Sequence, residues 1–289
     1  MRTVDQHSIT QAFLDYCSDD TDPRLRVILE RLAHHLHAFT REVELTHEEW
    51  RAAIGFLTRA ADITTPERNE FILLSDVLGL SSLVDMVHSP ADVTSSSVLG
   101  PFHILGAPDL PVGGDLKKDN DGATVIVQGR VLTPEGQPIK DAVLEIWQTA
   151  DNGLYSNQDS TQPDYNLRAR QVVGDDGRYA FTTARPAPYM VPSDGPVGDL
   201  LRATGRHPWR PSHLHFIIQA EGYRTLVTEL FPDDDPYLDE DAVFGVREDL
   251  TMHYQEHHDQ SEAPADLEVR DRLTTPFYKI DFDFRLAKT

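Results

Sequence analysis

Two histidines separated by one residue are the feature of the sequence that most suggests chemistry. They are His213 and His215, in the segment RHPWRPSHLHFII, residues 206–218. Side chains two residues apart on a β-strand share a face, so both imidazoles could bind one metal ion while Leu214 faces the opposite core. Among thirteen histidines, such a pair could also arise by chance on an exposed strand. The apolar residues 216–218 indicate a buried strand instead, where an unpaired imidazole is costly.

The other ligands of such a site are harder to identify from the residues. The chain has no HExxH motif, and its single cysteine, Cys17, lacks spaced His or Cys neighbours, so we interpret it as a buried helix residue. Zinc would therefore need carboxylates from elsewhere. Tyrosine is a further candidate, because a phenolate is a hard donor suited to Fe(III), whose charge lowers the phenol pKa from about 10. Tyr155 in DNGLYS and Tyr189 in RPAPYMVPSDGP adjoin irregular segments, but packed aromatic residues would fit these positions as well.

The first ninety residues predict helices. Apolar residues follow a three-and-four spacing between positions 23 and 40, which forms one stripe on a helix. The stripe consists of Leu25, Ile28, Leu29, Leu32, Leu36 and Phe39. Two further helices are predicted over residues 46–62 and 66–87, the second with Thr64 or Thr65 as N-cap and Pro66 in its first turn. The polar segment SPADVTSSS, residues 89–97, ends the helical part.

The sequence from residue 124 onward predicts short β-strands. The runs are TVIVQGRVL, AVLEIWQT, GRYAFTT, HLHFIIQA, RTLVTELF and FYKIDFDFRL, separated by turn signals such as PEGQP, ADNG and GDDG. Many short strands at this spacing are typical of an antiparallel sandwich or barrel. The predicted fold class is therefore α+β. A helical N-terminal region, residues 1–97, precedes an antiparallel β-sandwich domain that carries the metal site, residues 98–289.

Composition excludes some partners. A net charge of −22 disfavours nucleic acid and anionic lipid surfaces, and no basic patch compensates for it. No apolar run approaches the ~20 residues of a membrane span, and the N-terminus lacks a signal-peptide pattern, so we expect a cytoplasmic protein. The acidic segment PDDDPYLDED, residues 232–241, lacks the glycine and terminal glutamate of an EF-hand and is interpreted as a solvated loop.

Longer motifs carry a family resemblance. The sequence resembles the intradiol ring-cleaving dioxygenases through LGPFH, EIWQTADNGLYS, PYMVPSDGPVGDLLRATGRHPWRPSHLH and DAVFGV, over nearly the whole chain. The ordered set of two tyrosines followed by RPxHxH is highly specific. The resemblance implies one Fe(III) per subunit, bound by Tyr155, Tyr189, His213 and His215 with water or hydroxide, and no organic cofactor.

The resemblance also implies a reaction. Dioxygen would open a hydroxylated aromatic ring between two adjacent hydroxyl-bearing carbons. Tyr189 would be displaced by the substrate and take one of its protons, and Arg210 would stabilise negative charge on the bound ring, although a surface salt bridge is the alternative role for Arg210. The family members that act on hydroxyquinol (1,2,4-trihydroxybenzene) are the most similar, which implies 3-hydroxy-cis,cis-muconate/maleylacetate as product. Catechol or a chlorocatechol is the alternative substrate, and a non-catalytic β-sandwich module is the alternative from another class.

The implied substrate pocket draws on several segments. By similarity, its residues are Leu73, Asp76, Val98, Leu99, Gly100, Pro101, Phe102, Val191, Pro192 and Val243. Asp76 could accept a hydrogen bond from a third substrate hydroxyl, or it could be an ordinary exposed or capping aspartate. Glu229 stands where the family usually has Gln or His, and a carboxylate there would change the charge near the iron unless it points outward.

The resemblance finally implies a homodimer built from the N-terminal helices, with phospholipid in the dimer groove. The apolar stripe from Leu25 to Phe39 is compatible with this role. Such a stripe normally packs in the core of the monomer instead.

Overall fold

The computed structural model of the chain describes residues 3–65 and 68–289. The chain folds as two compact units, one ending at Arg59 and the other comprising Ala60–Thr289. The helices are α1 (Ile9–Asp15), α2 (Pro23–Glu42), α3 (His47–Ile63), α4 (Glu70–Val77), α5 (Leu80–His88) and α6 (Pro196–Ala203). The strands are β1 (Gly114–Asp115), β2 (Thr124–Leu132), β3 (Val143–Trp147), β4 (Arg168–Val172), β5 (Arg178–Ala184), β6 (Tyr189–Met190), β7 (Trp209–Arg210), β8 (Leu214–Gln219), β9 (Leu226–Pro232), β10 (Thr251–Met252), β11 (Gln255–His257), β12 (Phe277–Asp281) and β13 (Phe284–Arg285).

Helices α2 and α3 confirm two of the helix predictions, and side chains cap both. Asp22 accepts a hydrogen bond from the Leu25 amide at 2.9 Å, which satisfies a free donor in the first turn of α2. At the start of α3, Thr46 accepts from the Glu49 amide, and the Glu49 carboxylate accepts from the Thr46 amide. This reciprocal capping box fixes where the helix begins.

The interpretation of Cys17 as a buried helix residue is wrong. Helix α1 ends at Asp15, two residues earlier, and Cys17 is only half-buried. Its thiol donates a 3.7 Å hydrogen bond to the Phe13 carbonyl, so it caps the end of the helix rather than filling a core.

The prediction of one helix over residues 66–87 is also wrong. Two helices, α4 and α5, occupy this stretch, and Pro66 lies outside the described residues. Helix α4 begins at Glu70 with Asn69 as its cap, although Thr64 still accepts a hydrogen bond from the Glu70 amide. Gly79 separates the helices at φ 73°, a left-handed conformation that glycine adopts without steric cost.

The length and hydropathy of a helix decide whether it could cross a bilayer. Among the helices that the structure describes, none is long and apolar enough to do so by itself. Helices α4 and α5 reach the required length and hydropathy only when taken together, and they are bent by 70° at the break between them.

The strands form a sandwich-like pair of sheets that are mixed rather than purely antiparallel, which corrects the prediction. One sheet has the order β1-β5-β2-β12-β11, with β13 also paired to β2, and the other has the order β10-β9-β8-β3-β4. The pairs β1-β5, β12-β2, β13-β2 and β10-β9 are parallel. Strands β6 and β7 form a separate antiparallel pair. Parallel neighbours need long connections, so local sequence patterns do not reveal them.

The core lies between the two large sheets, and β8 shows how it orients the histidines. Leu214, Phe216 and Ile218 are fully buried in this core, as the alternation in the sequence predicted for Leu214. His215 therefore points to the other face of the same strand. There it is opposite Trp147 on β3 and Glu229 on β9.

Candidate metal centre

The four side chains predicted to be metal ligands lie around one buried point. Tyr155 Oη is 3.0 Å from His215 Nε2 and 3.4 Å from His213 Nε2, and the two imidazole nitrogens are 3.1 Å apart. The centroid of the Tyr189 ring is 5.5 Å from the Tyr155 ring and 5.5 Å from the His213 ring. All four residues are at most 5% exposed. Two phenols and two imidazoles from separate segments thus share a site closed to solvent.

Local backbone geometry brings these segments together. His213 directly precedes β8, and Tyr189 lies on β6 opposite Arg210 on β7. Gly153, at φ 76°, allows the segment that carries Tyr155 to approach Tyr189, since a Cβ at this glycine would be 3.3 Å from the Pro188 carbonyl oxygen. The aromatic ring of Trp147 stacks on His215 at 4.6 Å with an interplanar angle of 6°, which fixes the plane of that imidazole.

Both histidines are neutral at ordinary pH, as metal binding requires. Burial, followed by the charge of Arg210, lowers the pKa of His213 to about 4. Burial and the neighbouring His213 likewise lower the pKa of His215. His213 Nδ1 is 2.7 Å from the Pro211 carbonyl oxygen, to which it donates, so the lone pair of Nε2 faces the shared point.

The two phenols depend on a cation to ionise. Burial raises the pKa of Tyr155 well above its usual value, and burial also raises the pKa of Tyr189, against the opposing effect of Arg210. Neither would be a phenolate at neutral pH by itself. A bound metal ion would supply the charge that favours the phenolate form.

Arg210 is a buried cation held between two carboxylates. Its two terminal nitrogens donate to Glu229 at 2.8 and 2.9 Å, and its Nε donates to Asp241 at 3.1 Å. Burial opposes the charge of Arg210, but Asp241 and Glu229 hold its pKa well above the ordinary value. Nη1 of Arg210 is also 3.5 Å from Tyr189 Oη and 3.3 Å from His213 Nε2. Arg210 therefore borders the centre and is not part of a surface salt bridge.

Glu229 points inward, towards Arg210 and the histidines. Its Oε2 accepts a 2.6 Å hydrogen bond from Ser97, and its Oε1 is 3.3 Å from His215 Nδ1 and 3.4 Å from His213 Nε2. Burial favours the protonated acid, yet Arg210 and the other partners lower the pKa of Glu229 below its usual value. The side chain is therefore an ionised carboxylate within the centre.

Two donor sets could hold an ion here. The first set consists of His213, His215 and Glu229, whose ligand atoms are close enough together to bind one ion. However, both Glu229 oxygens already accept a hydrogen bond from Arg210, Oε2 accepts a second from Ser97, and His215 faces Glu229 with Nδ1 but Tyr155 with Nε2. The other set uses Tyr155 in place of Glu229. It leaves unbroken the hydrogen bonds of Arg210 to Glu229 and Asp241, which we call the Arg210 clamp, so the geometry favours this set.

The spacing of three of the four predicted donors fits one metal ion. Ligand atoms about 2.0–2.2 Å from an ion stand roughly 2.8–3.6 Å apart at ordinary coordination angles. The separations among Tyr155 Oη, His213 Nε2 and His215 Nε2 are 3.0–3.4 Å. Neutral imidazoles combined with hard oxygen donors suit an iron ion.

A cavity of about 320 Å³ is lined by part of the predicted pocket. Leu73, Pro101, Phe102 and Pro192 all line it. The Phe102 ring stacks on Tyr155 at 4.8 Å between centroids, so this one side chain contacts both the cavity and a predicted ligand, although none of the four predicted ligands lines the cavity. Its volume lies within the range of about 300–1,000 Å³ for small-molecule sites.

The other predicted pocket residues are outside the lining of this cavity. Val98, Val191 and Val243 are buried, whereas Leu99 is 43% exposed. A Cβ added to Gly100, which has φ 67°, would be 3.6 Å from His215 Cε1, so the backbone passes close to that imidazole.

Asp76 is 5% exposed, so the alternative that it is an ordinary exposed aspartate is wrong. Its side chain caps neither α4 nor α5. Burial raises the pKa of Asp76, and the charges of Arg210, Glu229 and Asp241 act on it more weakly.

Several residues of the site were missed in the sequence. Asp241 ends the acidic segment interpreted as a solvated loop, yet it is buried and accepts hydrogen bonds from the Val243 and Gly245 amides as well as from Arg210. Asp235 in the same segment accepts hydrogen bonds from the backbone and side chain of Ser212. That interpretation is therefore wrong for these two positions. Arg68, Asn69, Glu70, Gln158 and Met190 also line the cavity, and the sequence did not assign them to a pocket, although Met190 lies in the motif that contains Tyr189.

Comparison with known proteins identifies the family. The profile described as "Dioxygenase" matches residues 107–287, and "Catechol dioxygenase N terminus" matches residues 22–95. The chain is 46% identical to hydroxyquinol 1,2-dioxygenase of Rhizobium sp. (strain MTP-10005), over 93% of this chain and 91% of that protein. The crystal structure of hydroxyquinol 1,2-dioxygenase from Pseudomonas putida DLL-E4 superposes with a TM-score of 0.89 at 44% identity, covering 98% and 99% of the two chains. Catechol 1,2-dioxygenase of Acinetobacter radioresistens superposes with a TM-score of 0.83 at 29% identity, covering 100% and 95%.

The chain belongs to the intradiol ring-cleavage dioxygenase family. The resemblance seen in the sequence is thereby confirmed, and the non-catalytic alternative is not supported. As in the rest of the family, the substrates are a hydroxylated aromatic compound and dioxygen, and the family uses non-haem iron.

Removing Arg210 from the clamp should lower the free energy of unfolding strongly, even when no metal is bound. Arg210→Met leaves Glu229 and Asp241 buried without their cation, so we expect the metal-free protein to lose about 3–5 kcal/mol in urea unfolding. Adding Glu229→Gln should restore part of the loss, because the two sites are coupled. Arg170→Met is the control, since its exposed pair with Asp109 should contribute less than about 1 kcal/mol. Equal losses for Arg210→Met and Arg170→Met would contradict the clamp.

Proposed function

We propose that the chain binds one Fe(III) through Tyr155, Tyr189, His213 and His215 and cleaves hydroxyquinol by intradiol oxygenation. The product is 3-hydroxy-cis,cis-muconate/maleylacetate. The iron assignment rests mainly on one observation, that Tyr155 Oη lies within 3.4 Å of the Nε2 atoms of both His213 and His215. Membership in a non-haem iron family supports it further.

Protein side chains prepare the substrate in this proposal. Bound Fe(III) would supply Lewis acidity and withdraw electrons from a chelated diol. Tyr189 Oη, next to Arg210, receives a proton from a substrate hydroxyl as that hydroxyl enters the site. Arg210 then faces that deprotonated oxygen with a charge that the guanidinium cannot lose at working pH. Burial of the whole cluster excludes water and strengthens these electrostatic interactions.

The choice of hydroxyquinol rests on relatives and on Asp76. Relatives that are 46% and 43% identical to this chain, from Rhizobium and Nocardioides simplex, are named hydroxyquinol 1,2-dioxygenases. Asp76 is buried, and its carboxyl group can accept a hydrogen bond from a third ring hydroxyl. Catechol lacks that hydroxyl and leaves Asp76 without this partner. Catechol and chlorocatechols are the alternative substrates.

The iron ligands are tested by colour and metal content. The wild-type protein should hold one Fe(III) with a phenolate-to-iron absorption band, and Tyr155→Phe and His213→Ala should each lose most of the iron. Tyr179→Phe is the control, because this buried tyrosine donates to the Phe282 carbonyl, away from the centre. Absorption spectra and elemental analysis give the readout. Full iron and an unchanged band in Tyr155→Phe and His213→Ala would refute the ligand set.

The substrate is tested by oxygen uptake and by Asp76→Ala. Wild-type protein should consume one dioxygen per hydroxyquinol and retain both atoms in a diacid, measured by product mass with isotopically labelled dioxygen. Because a hydrogen bond to a carboxylate contributes about 1.5–3 kcal/mol, Asp76→Ala should lower kcat/KM for hydroxyquinol at least about tenfold relative to catechol. Asp85→Ala, at a half-buried aspartate on α5, should leave that ratio unchanged. A wild-type preference for catechol would overturn the substrate assignment.

We also propose that residues 1–97 form a homodimer interface and that residues 98–289 form the catalytic domain. Five residues of the apolar stripe on α2 support the interface, since each is between 46% and 54% exposed in the single chain. They are Leu25, Ile28, Leu32, Leu36 and Phe39. A contiguous apolar face of this kind is rare on a monomer and typical of an interface. The same face would take the acyl chains of a phospholipid.

The interface is tested by mass in solution. Leu32→Glu combined with Leu36→Glu places two charges on this face, so we expect a shift from dimer to monomer in light scattering. Leu105→Glu, at a 78% exposed loop residue, is the control and should stay dimeric. Mass spectrometry of an organic extract detects any lipid. A monomeric wild-type protein would contradict the interface.

A further inference from the structure

Arg168 is a buried arginine that no step of the proposed reaction uses. It is the first residue of β4 and is 2% exposed. Its Nε donates to Ser156 Oγ at 2.9 Å, and its Nη2 donates to Asn157 Oδ1 at 2.8 Å. Within residues 3–65 and 68–289, no carboxylate forms an ion pair with it. A guanidinium removed from water normally has an anionic partner, so its charge needs another compensating group.

A neighbouring group that can carry negative charge is Tyr155. The guanidinium carbon lies 5.7 Å from the centroid of the Tyr155 ring. Burial lowers the pKa of Arg168 to about 10, and the opposing effects come from Tyr155 and then Tyr165. Both hydrogen-bond partners of Arg168 directly follow Tyr155 in the chain, so the same side chain also fixes the segment that carries the phenol.

Arg210 and Arg168 differ in their hydrogen-bond partners. Two carboxylates, Glu229 and Asp241, accept from Arg210. Burial raises the pKa of Tyr155 and the charge of Arg210 opposes that rise, so Arg210 also acts on this phenol. The partners of Arg168 are a hydroxyl and an amide, and neither carries a charge. Among the described residues, Arg168 is therefore an arginine next to Tyr155 that has no carboxylate partner.

We infer that Arg168 is a positioning residue for Tyr155, which orients its phenol ring and weakens the electron donation of its oxygen to the bound metal. The inference rests on the proposed function, in which Tyr155 is an iron ligand. A cation beside a phenolate lowers the energy of the electrons on its oxygen. Removal of the charge should therefore make Tyr155 a stronger donor. The phenolate-to-iron band then moves to longer wavelength, and the reduction potential of the iron falls.

The test compares iron-loaded proteins by absorption and by redox titration. Arg168→Gln removes the charge and should show both shifts, whereas Arg168→Lys retains a charge and should stay closer to wild type. Asn157→Asp keeps the arginine but adds a carboxylate where the structure has an amide 2.8 Å from Nη2, so it should shift the band in the same direction as Arg168→Gln. Arg170→Gln is the matched control two residues along β4, with an exposed partner, and should leave both readouts unchanged.

The variants separate this inference from the proposed function. A wild-type protein with full Fe(III) and no phenolate band overturns the ligand set itself. If that band is present but neither Arg168→Gln nor Asn157→Asp moves it, the ligand set stands and Arg168 serves only packing. Should Arg168→Gln fail to fold or to bind iron, Asn157→Asp decides the question, since it retains every side chain that contacts Tyr155. Equal shifts in Arg168→Lys and Arg168→Gln would also overturn the role of the charge.

Discussion

The contact between Arg210 and Glu229 is the interaction on which the arrangement of the centre depends. Arg210 lies opposite Tyr189 in the small β6-β7 sheet, and Glu229 lies opposite His215 in the neighbouring five-stranded sheet. Their two hydrogen bonds, of 2.8 and 2.9 Å, therefore tie one phenol donor to the histidine donors. Because both side chains are fully buried, breaking the pair would leave a charge without solvent. Electrostatics as well as packing thus hold the sheet that carries Tyr189 in position relative to β8.

The charges around the centre balance without a metal. Glu229, Asp241, Arg210 and Arg168 are buried charged groups that sum to zero, although both carboxylates contact Arg210 and neither forms an ion pair with Arg168, and the imidazoles are neutral. The phenols are neutral as well, because burial raises the pKa of both. A metal ion would therefore bring its own charge into a neutral pocket, and only ionisation of the phenols could offset it. This balance favours a highly charged ion with two phenolates over a divalent ion with neutral ligands.

The sequence predicted the structure best where the alternation of side chains along a strand determines which residues are buried. Strand β2 coincides with the β-branched run that predicted it, and His215 faces away from the core because Leu214 and Phe216 face into it. The break at Gly79 was missed because the apolar pattern continues across it, and only the left-handed backbone separates α4 from α5. Asp241 was missed for a different reason. An acidic run resembles a solvated loop until an arginine distant in sequence is known to fold against it.

Glu229 illustrates why the type of a residue does not fix its role. A carboxylate next to two imidazoles would ordinarily be counted as a ligand, and the family resemblance leads one to expect Gln or His at this position. Here its oxygens are taken by Arg210 and Ser97, and Gly245 closes the cluster so tightly that an added Cβ would lie 2.6 Å from Arg210 Nη2 and 2.9 Å from Glu229 Oε2. An ion bound by either oxygen would compete with these hydrogen bonds for the carboxylate. In the proposed ligand set, Glu229 therefore acts on the centre through the position and charge of Arg210, and the phenols are the oxygen donors.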